Sequence, residues 1–272
     1  MKTQHQSPNL IIFESALYRT TTTLIIGDDH LLLVDPNWLP VEIDFIKKTV
    51  ARYEKGRTCY LAFTHSDYDH IIGAGAFPDY TTIASQAFVD SPSKESNISL
   101  ILDFDDKHYV TRSYPIIYPK IDIAISQYPQ EIKLGSSSYT IYKALGHNHD
   151  GIMIKNDEKQ ILIVGDYMSN IEFPFIYYSY GSYVETLKRI EELVLSEAIR
   201  FMIVGHGDYA FEQADMKERL SASFSYLEEL DAAAKGEHEF DLEKLNKLYP
   251  YPNNTLRFHH DNLKLVREEL KA

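Results

Sequence analysis

The amino-acid sequence predicts a layered α/β protein in which two sheets pack together with helices outside them. Three observations lead there. Short apolar runs broken by turn residues fill the first third, a second set of such runs crowds residues 121–164, and the last third turns rich in Glu, Leu, Lys and Ala. The order is β-rich, helix, β-rich, helix, which suits sheets that bury one face on each other and the other under helices. With 272 residues, 44% of them apolar and 25% charged, the chain is long enough to bury a sizeable core.

Residues 9–18, 21–27 and 31–35 read as strands, separated by turn chemistry such as Gly27-Asp28-Asp29. Residues 40–55 place Val41, Phe45, Ile46 and Val50 at helical spacing with Lys and Glu between them. The run 58–63 (TCYLAF) is a strand that leads straight into Thr-His-Ser-Asp-Tyr-Asp-His. Residues 88–120 carry Ser-Pro, Asp-Asp and Tyr-Pro breaks and read as a partly helical insertion whose loops can overhang a site. Strands follow at 121–126, 131–134, 139–145, 151–155 and 160–164, then a helix over 181–195 and a short strand over 200–204. Beyond 209, Leu220, Phe224, Leu227 and Leu230 repeat with helical spacing. We therefore expect a main domain over 1–208, with its insertion at about 88–120, and a helical C-terminal extension over 209–272 packed on it.

Composition narrows the partners. Lys and Arg number 27 against 40 Asp and Glu, a net charge of −13, so no nucleic-acid surface is expected. No apolar run of about 18 residues occurs, so no membrane span is expected. The opening MKTQHQSPNL has no apolar stretch and does not read as a secretory signal. Cys59 is the single cysteine, which excludes an internal disulfide and suits a reducing cytoplasm. A small-molecule substrate fits this surface best, and the oligomeric state is left open.

The informative segment is Thr64-His65-Ser66-Asp67-Tyr68-Asp69-His70, where four ligand-type side chains fall within six residues after a strand. Imidazole and carboxylate together suit divalent first-row metals. A polar turn capping the next helix is the plainer reading, but it accounts poorly for this density of ligands. Three more ligand-type residues each follow an apolar run and a glycine: His147, Asp166 and His206. Asp35, which ends LLLVD, is a further such residue and is expected to orient a ligand from behind.

In these pieces the sequence resembles the metallo-β-lactamase-fold superfamily of metal-dependent hydrolases. Val34-Asp35-Pro36, THSDYDH at 64–70, Gly146-His147, Gly165-Asp166 and Gly205-His206-Gly207 occur in that family's order, over about residues 10–208. The resemblance implies a four-layer αββα sandwich of two mixed sheets with outer helices, and a site along the edge where the sheets meet. It implies one ion held by His65, Asp67 and His147, a second held by Asp69, His70 and His206, and Asp166 bridging the pair. Most hydrolases of the superfamily have His where this chain has Asp67, so HxHxDH becomes HxDxDH. Two divalent ions would then face Asp67, Asp69, Asp166 and a bridging hydroxide, a neutral core in place of a positive one. A weaker Lewis acid and a harder site follow. Zinc is the default for the fold, with iron or manganese also compatible.

The expected reaction is hydrolysis of a small ester, thioester or lactone by a metal-bridging hydroxide, with Asp69 both binding metal and holding the nucleophilic water. A phosphodiesterase-like hydrolase is the alternative that the HxDxDH variant supports. A di-iron redox protein reducing oxygen or nitric oxide is the alternative of another class, although no flavodoxin-like domain follows His206. β-Lactams are not inferred, since a fold does not name a substrate. Among neighbouring residues, Cys59 reads as a core thiol, and His149 and Asp150 as turn chemistry in GHNHDG. Tyr167, Ser169, Asn170 and Glu172 should lie beside the metals. Phe173, Phe175, Tyr177, Tyr178 and Tyr180 suit either a pocket wall or packing beneath that loop. Lys107, His108 and Arg112 are the nearest approach to an anion clamp, though a solvated loop is the better reading. His259 and His260 carry no assignment.

Overall fold

The computed structural model describes residues 1–196 and 199–271. The chain opens with strands β1 (Lys2–Gln6), β2 (Leu10–Glu14), β3 (Thr21–Ile26) and β4 (His30–Val34), then helix α1 (Pro40–Val50) and strand β5 (Thr58–Ala62). A four-residue helix α2 (Tyr68–Ile71), strand β6 (Thr81–Ser85), a short helix α3 (Gln86–Val89) and helix α4 (Lys94–His108) come next. Strands β7 (Ile123–Ile125), β8 (Gln130–Leu134), β9 (Ser137–Lys143), β10 (Ile152–Asn156) and β11 (Ile161–Ile163) follow. The remainder holds helix α5 (Tyr180–Ser196), strand β12 (Phe201–Ile203) and helices α6 (Gln213–Lys235), α7 (Leu242–Leu248) and α8 (Pro252–Glu269).

Seven strands form one sheet in the order β1-β2-β3-β4-β5-β6-β7, and the other five form a second. The first sheet is mixed: β1 to β4 pair antiparallel, and β4 to β7 pair parallel. The second is mixed as well, with β8 and β9 antiparallel and β11 and β12 parallel. By internal contacts the chain divides into two compact units, Met1–Tyr142 with Asp150–Glu158, and Lys143–His149 with Lys159–Ala272.

In the first unit every residue of β2, β3 and β4 is buried, because both faces of the sheet are covered. On one face lie Ile43, Ile46 and Val50 of α1, each worth about 1.5–3 kcal/mol of burial. On the other, His30 of β4 meets Tyr139 of β9, Nε2 to Oη at 2.8 Å, and Thr64 O accepts from Ile152 N at 2.8 Å. Glu42 starts α1 by accepting from Leu39 N at 3.1 Å, half of a capping box, and ties the helix to the β2–β3 turn through Ser15 Oγ at 2.7 Å. Trp38 fills the space beyond, its ring centroid 4.8 Å from Phe104 and 5.6 Å from Tyr68.

In the second unit Ile161–Ile163 pair in parallel with Phe201–Ile203. Helix α5, expected over 181–195, buries Tyr183, Leu187, Ile190 and Val194, an i, i+4, i+7, i+11 stripe on one face. Helices α6 and α8 pack together in the same unit.

Two strands were not legible in the sequence. Strand β1 (KTQHQ) has no apolar alternation and forms because β2 offers it a paired edge; β6 (TTIAS) has only Ile83 and Ala84 to bury and is drawn in between β5 and β7. Helix α1 stops at Val50, five residues short of the expected stretch. The 88–120 segment contains all of α4 but no regular element after His108 until β7. Among the described residues no helix is long and apolar enough to cross a membrane.

Candidate metal centre

In the first unit β4 and β5 run parallel, so the residues that leave them, Asp35 and Thr64, emerge side by side. Asp35 turns in the left-handed region, with φ +49°, and its N–H donates to Ala62 O at 3.1 Å. Its carboxylate accepts from Thr64 N at 2.9 Å, Thr64 Oγ1 at 2.6 Å and His70 Nδ1 at 2.9 Å. A carboxylate accepts only, so His70 carries its proton on Nδ1. The Thr64 hydroxyl spends its one proton on Asp35, and its 3.0 Å contact with His65 is therefore donated by His65 Nδ1. Both imidazoles thus turn unprotonated Nε2 atoms the other way. There His65 Nε2 lies 3.5 Å from Asp67 Oδ2, and His70 Nε2 lies 3.7 Å from Asp69 Oδ2. The two rings are 4.1 Å apart.

The loop between these ligands is gripped on both sides of Ser66. Its N–H donates to Asp150 Oδ1 at 3.3 Å, and its carbonyl accepts from Asn97 Nδ2 of α4 at 2.5 Å. Asp150 itself is buried, and its carbonyl accepts from Ser85 Oγ at 2.7 Å.

In the second unit three loops supply the candidates. The Nε2 atoms of His147 and His206 each lie 3.2 Å from the same carboxylate oxygen, Oδ2 of Asp166. His147 Nδ1 donates to the Phe175 carbonyl at 2.8 Å, which again leaves its Nε2 unprotonated. The His147 backbone N–H donates to Tyr167 Oη at 3.0 Å, and Tyr167 donates onward to Leu145 O at 2.7 Å. Burial pushes the Tyr167 phenol above its ordinary value, so it keeps the proton it donates. Ser169 Oγ donates to His206 O at 2.8 Å while accepting from Ile171 N and Glu172 N. Glycine is required twice. A Cβ on Gly205 would sit 1.9 Å from Asp166 Oδ1, and Gly146, at φ +120°, lies against the Tyr183 backbone where a Cβ would come within 2.3 Å.

In their neutral form His65, His70 and His147 therefore turn acceptor nitrogens toward carboxylates, an arrangement that suits a cation. His65, Asp67, Asp69, His70, His147, Asp166 and His206 each belong to a group of side chains that could hold a metal ion. The donor set of nitrogen and oxygen suits a divalent first-row metal.

The sequence pattern of the metallo-beta-lactamase superfamily matches residues 17–267. The chain belongs to that superfamily. Solved structures agree on the fold. A metallo-beta-lactamase family protein from Thermus thermophilus is 15% identical, covering 97% of this chain and 94% of its own at a TM-score of 0.66. An archaeal metallo-beta-lactamase superfamily protein from Sulfolobus tokodaii is 19% identical, covering 97% and 100% at 0.58. A stereoselective inverting sec-alkylsulfatase from Pseudomonas sp. is 12% identical at 0.67, and this chain spans about half of it, 49%. A search of curated proteins found no match. The αββα sandwich of the metallo-beta-lactamase superfamily is thus the fold, with two mixed sheets and outer helices.

Several residues near the superfamily ligands fall differently from expectation. Arg112 is no anion clamp. Its side chain is 2% exposed, and the guanidinium is spent on Asp105, at 2.7 and 2.8 Å, and on the Trp38 carbonyl. His108 is no part of a loop either: it ends α4 and stacks on Phe104 at 4.4 Å. Asp150, expected as plain turn chemistry, is a buried anchor of the ligand loop. Tyr167 and Ser169 hold ligand backbones. Phe173 and Phe175 pack on Tyr226 and Phe258, whereas Tyr177 is 47% exposed with its ring 5.0 Å from His147. Cys59 sits half-buried at the margin of the core, and burial raises its thiol pKa. Asn97 and Asn262 escaped the sequence reading, because an isolated asparagine in a helix carries no local signal.

Proposed function

We propose that this chain is a dinuclear metal-dependent hydrolase acting on a small ester, thioester or lactone. The observation that carries the reading is the pair of 3.2 Å approaches of His147 and His206 Nε2 to Asp166 Oδ2. Neutral His147, with its proton on Nδ1, meets that carboxylate acceptor to acceptor, a pairing that a cation between them would relieve. In this reading His65, Asp67 and His147 would hold one ion and Asp69, His70 and His206 the other, with Asp166 shared between them. Membership of a superfamily whose proteins typically bind divalent metals, and are typically hydrolases, supports it.

Two divalent ions would supply a water of lowered pKa and a counter-charge for the oxyanion formed on attack. The protein's own part is positional. Asp35 holds the His70 ring directly and the His65 ring through Thr64, while Asp69 holds and orients the nucleophilic water. Asp67, Asp69 and Asp166 bring three negative charges to the centre, which disfavours strongly anionic substrates, as does the net charge of −13. Zinc is the first choice of metal, with iron and manganese next. The lone Cys59 suits a reducing compartment.

Elemental analysis of protein purified without added metal, followed by an ester, thioester, lactone and phosphodiester screen, tests the reading. Two zinc or manganese ions per chain with turnover of one of the first three classes are expected. Phosphodiester turnover alone would move the substrate class, two iron ions with oxygen-dependent chemistry would replace hydrolysis, and no metal after reconstitution would end the proposal.

A further inference from the structure

We propose that Asn262, on the C-terminal helix α8, is a positioning residue for His147, acting through the carbonyl of Phe175. Its consequence for metal affinity rests on reading His147 as a ligand, whereas the positioning itself does not, and every residue it uses lies in the second unit.

Residues 172–176 have no regular secondary structure, so this strap has no ladder of its own to fix it. Asn262, 1% exposed, supplies the missing partners. Its Oδ1 accepts from Ile176 N at 2.9 Å and its Nδ2 donates to Pro174 O at 2.6 Å. The side-chain amide thus pairs with the backbone on both sides of Phe175, as a neighbouring strand would. Its orientation is unambiguous, since the Pro174 carbonyl can only accept and the Ile176 N–H can only donate. The second amide proton goes to Tyr226 Oη of α6 at 2.8 Å, which locks the rotamer.

What the strap does is bind His147 twice. The Phe175 carbonyl accepts the Nδ1 proton, and Tyr177 N donates to the His147 carbonyl at 3.0 Å. The direction of the Phe175 carbonyl decides which ring nitrogen keeps the proton, and so whether Nε2 faces Asp166 unprotonated. Partners one step behind a ligand are worth about 10–100-fold in metal affinity. Asn262 stands one step further back, so the lower end is expected.

The test is long-range 1H–15N NMR of the histidine rings in the metal-free protein, at a pH where they are neutral, with His147→Gln assigning the signal. In the unaltered chain His147 should be the Nδ1–H tautomer. Asn262→Ala should convert it to a mixture with Nε2–H while His65, His70 and His206 stay as they were. In competition with a zinc chelator, one of the two ions should be released about tenfold more readily and the other unchanged. An Nε2–H tautomer in the unaltered chain, an unmoved signal in the variant, or all four rings moving together would overturn the proposal. Should Asn262→Ala not fold, by far-UV circular dichroism, Tyr226→Phe unlocks the same amide and must move the same single ring. The tautomer readout needs no metal. A His147 that responds in a chain binding no ion would sink the hydrolase reading and leave this one standing.

Discussion

In the first unit four candidate ligands come from seven consecutive residues, while in the second His147, Asp166 and His206 come from three separate strand ends. The support differs in the same way. One carboxylate, Asp35, fixes Thr64, His65 and His70, so both imidazoles of the first set hang on a single side chain, with Asp150 and Asn97 gripping only Ser66 between them. The second set is held piecemeal: Tyr167 and the Phe175 carbonyl hold His147, Ser169 holds the His206 backbone, and Gly205 makes room for Asp166. A compact motif concentrates its risk in one supporting residue, whereas a dispersed one spreads it over several weak ones. Only its shared carboxylate, Asp166, escapes that rule.

Substitutions can break this contrast in graded order. The largest effect is expected from Asp166→Ala, which leaves two imidazoles with nothing between them. Activity should fall at least about 100-fold and bound metal should drop below two ions per chain, read by elemental analysis. Full turnover with both ions retained would remove Asp166 from the bridging position. Asp35→Asn comes next. The amide keeps the shape but loses the charge and cannot accept all three hydrogen bonds, so metal affinity should weaken about 10–100-fold in chelator competition. Tyr167→Phe should do less to metal binding but cost about 1–3 kcal/mol of stability in urea unfolding, since the buried His147 N–H loses this acceptor, while Leu145 O keeps the Thr186 hydroxyl as donor. If Asp35→Asn proves milder than Tyr167→Phe in metal affinity, the contrast between concentrated and dispersed support fails.

A smaller effect separates the helical part of the second unit from both ligand regions. His259 is 2% exposed, and burial, then the neighbouring His260, lower its pKa to about 4. The unfolded chain takes up that proton near the ordinary value of about 6.5, the folded one only near 4. The unfolded state therefore binds more protons between those values, and stability should fall as pH drops through that window and level off below it. His259→Gln should flatten that acid limb in urea titrations. The smallest effect is Cys59→Ser, expected to shift stability by about 1 kcal/mol or less with activity unchanged.

Much of this was legible in advance because it depends on local chemistry. Asp35, the 64–70 run and the three glycine-preceded ligands stood out through residue type and position after apolar runs. Helix α5 was legible to within a residue at each end. The misses share a cause. Strands β1 and β6 bury little of their own and exist because a neighbour offers an edge, which periodicity cannot register. Arg112 and Asp150 looked like surface chemistry, and only packing turned them into a buried ion pair and a loop anchor.

By itself, then, the sequence determined the layered α/β class and the candidate ligands, Asp67 among them. Ligand chemistry and hydrophobic periodicity are properties of short stretches. Tertiary structure alone decided which nitrogen of each histidine holds the proton, which asparagines grip the ligand loops, and that the aromatics after Asp166 are divided between packing and exposure. Each of these depends on a hydrogen-bond or contact partner far away in the chain. Asn262 and Pro174 are 88 residues apart, and nothing in either stretch announces the other.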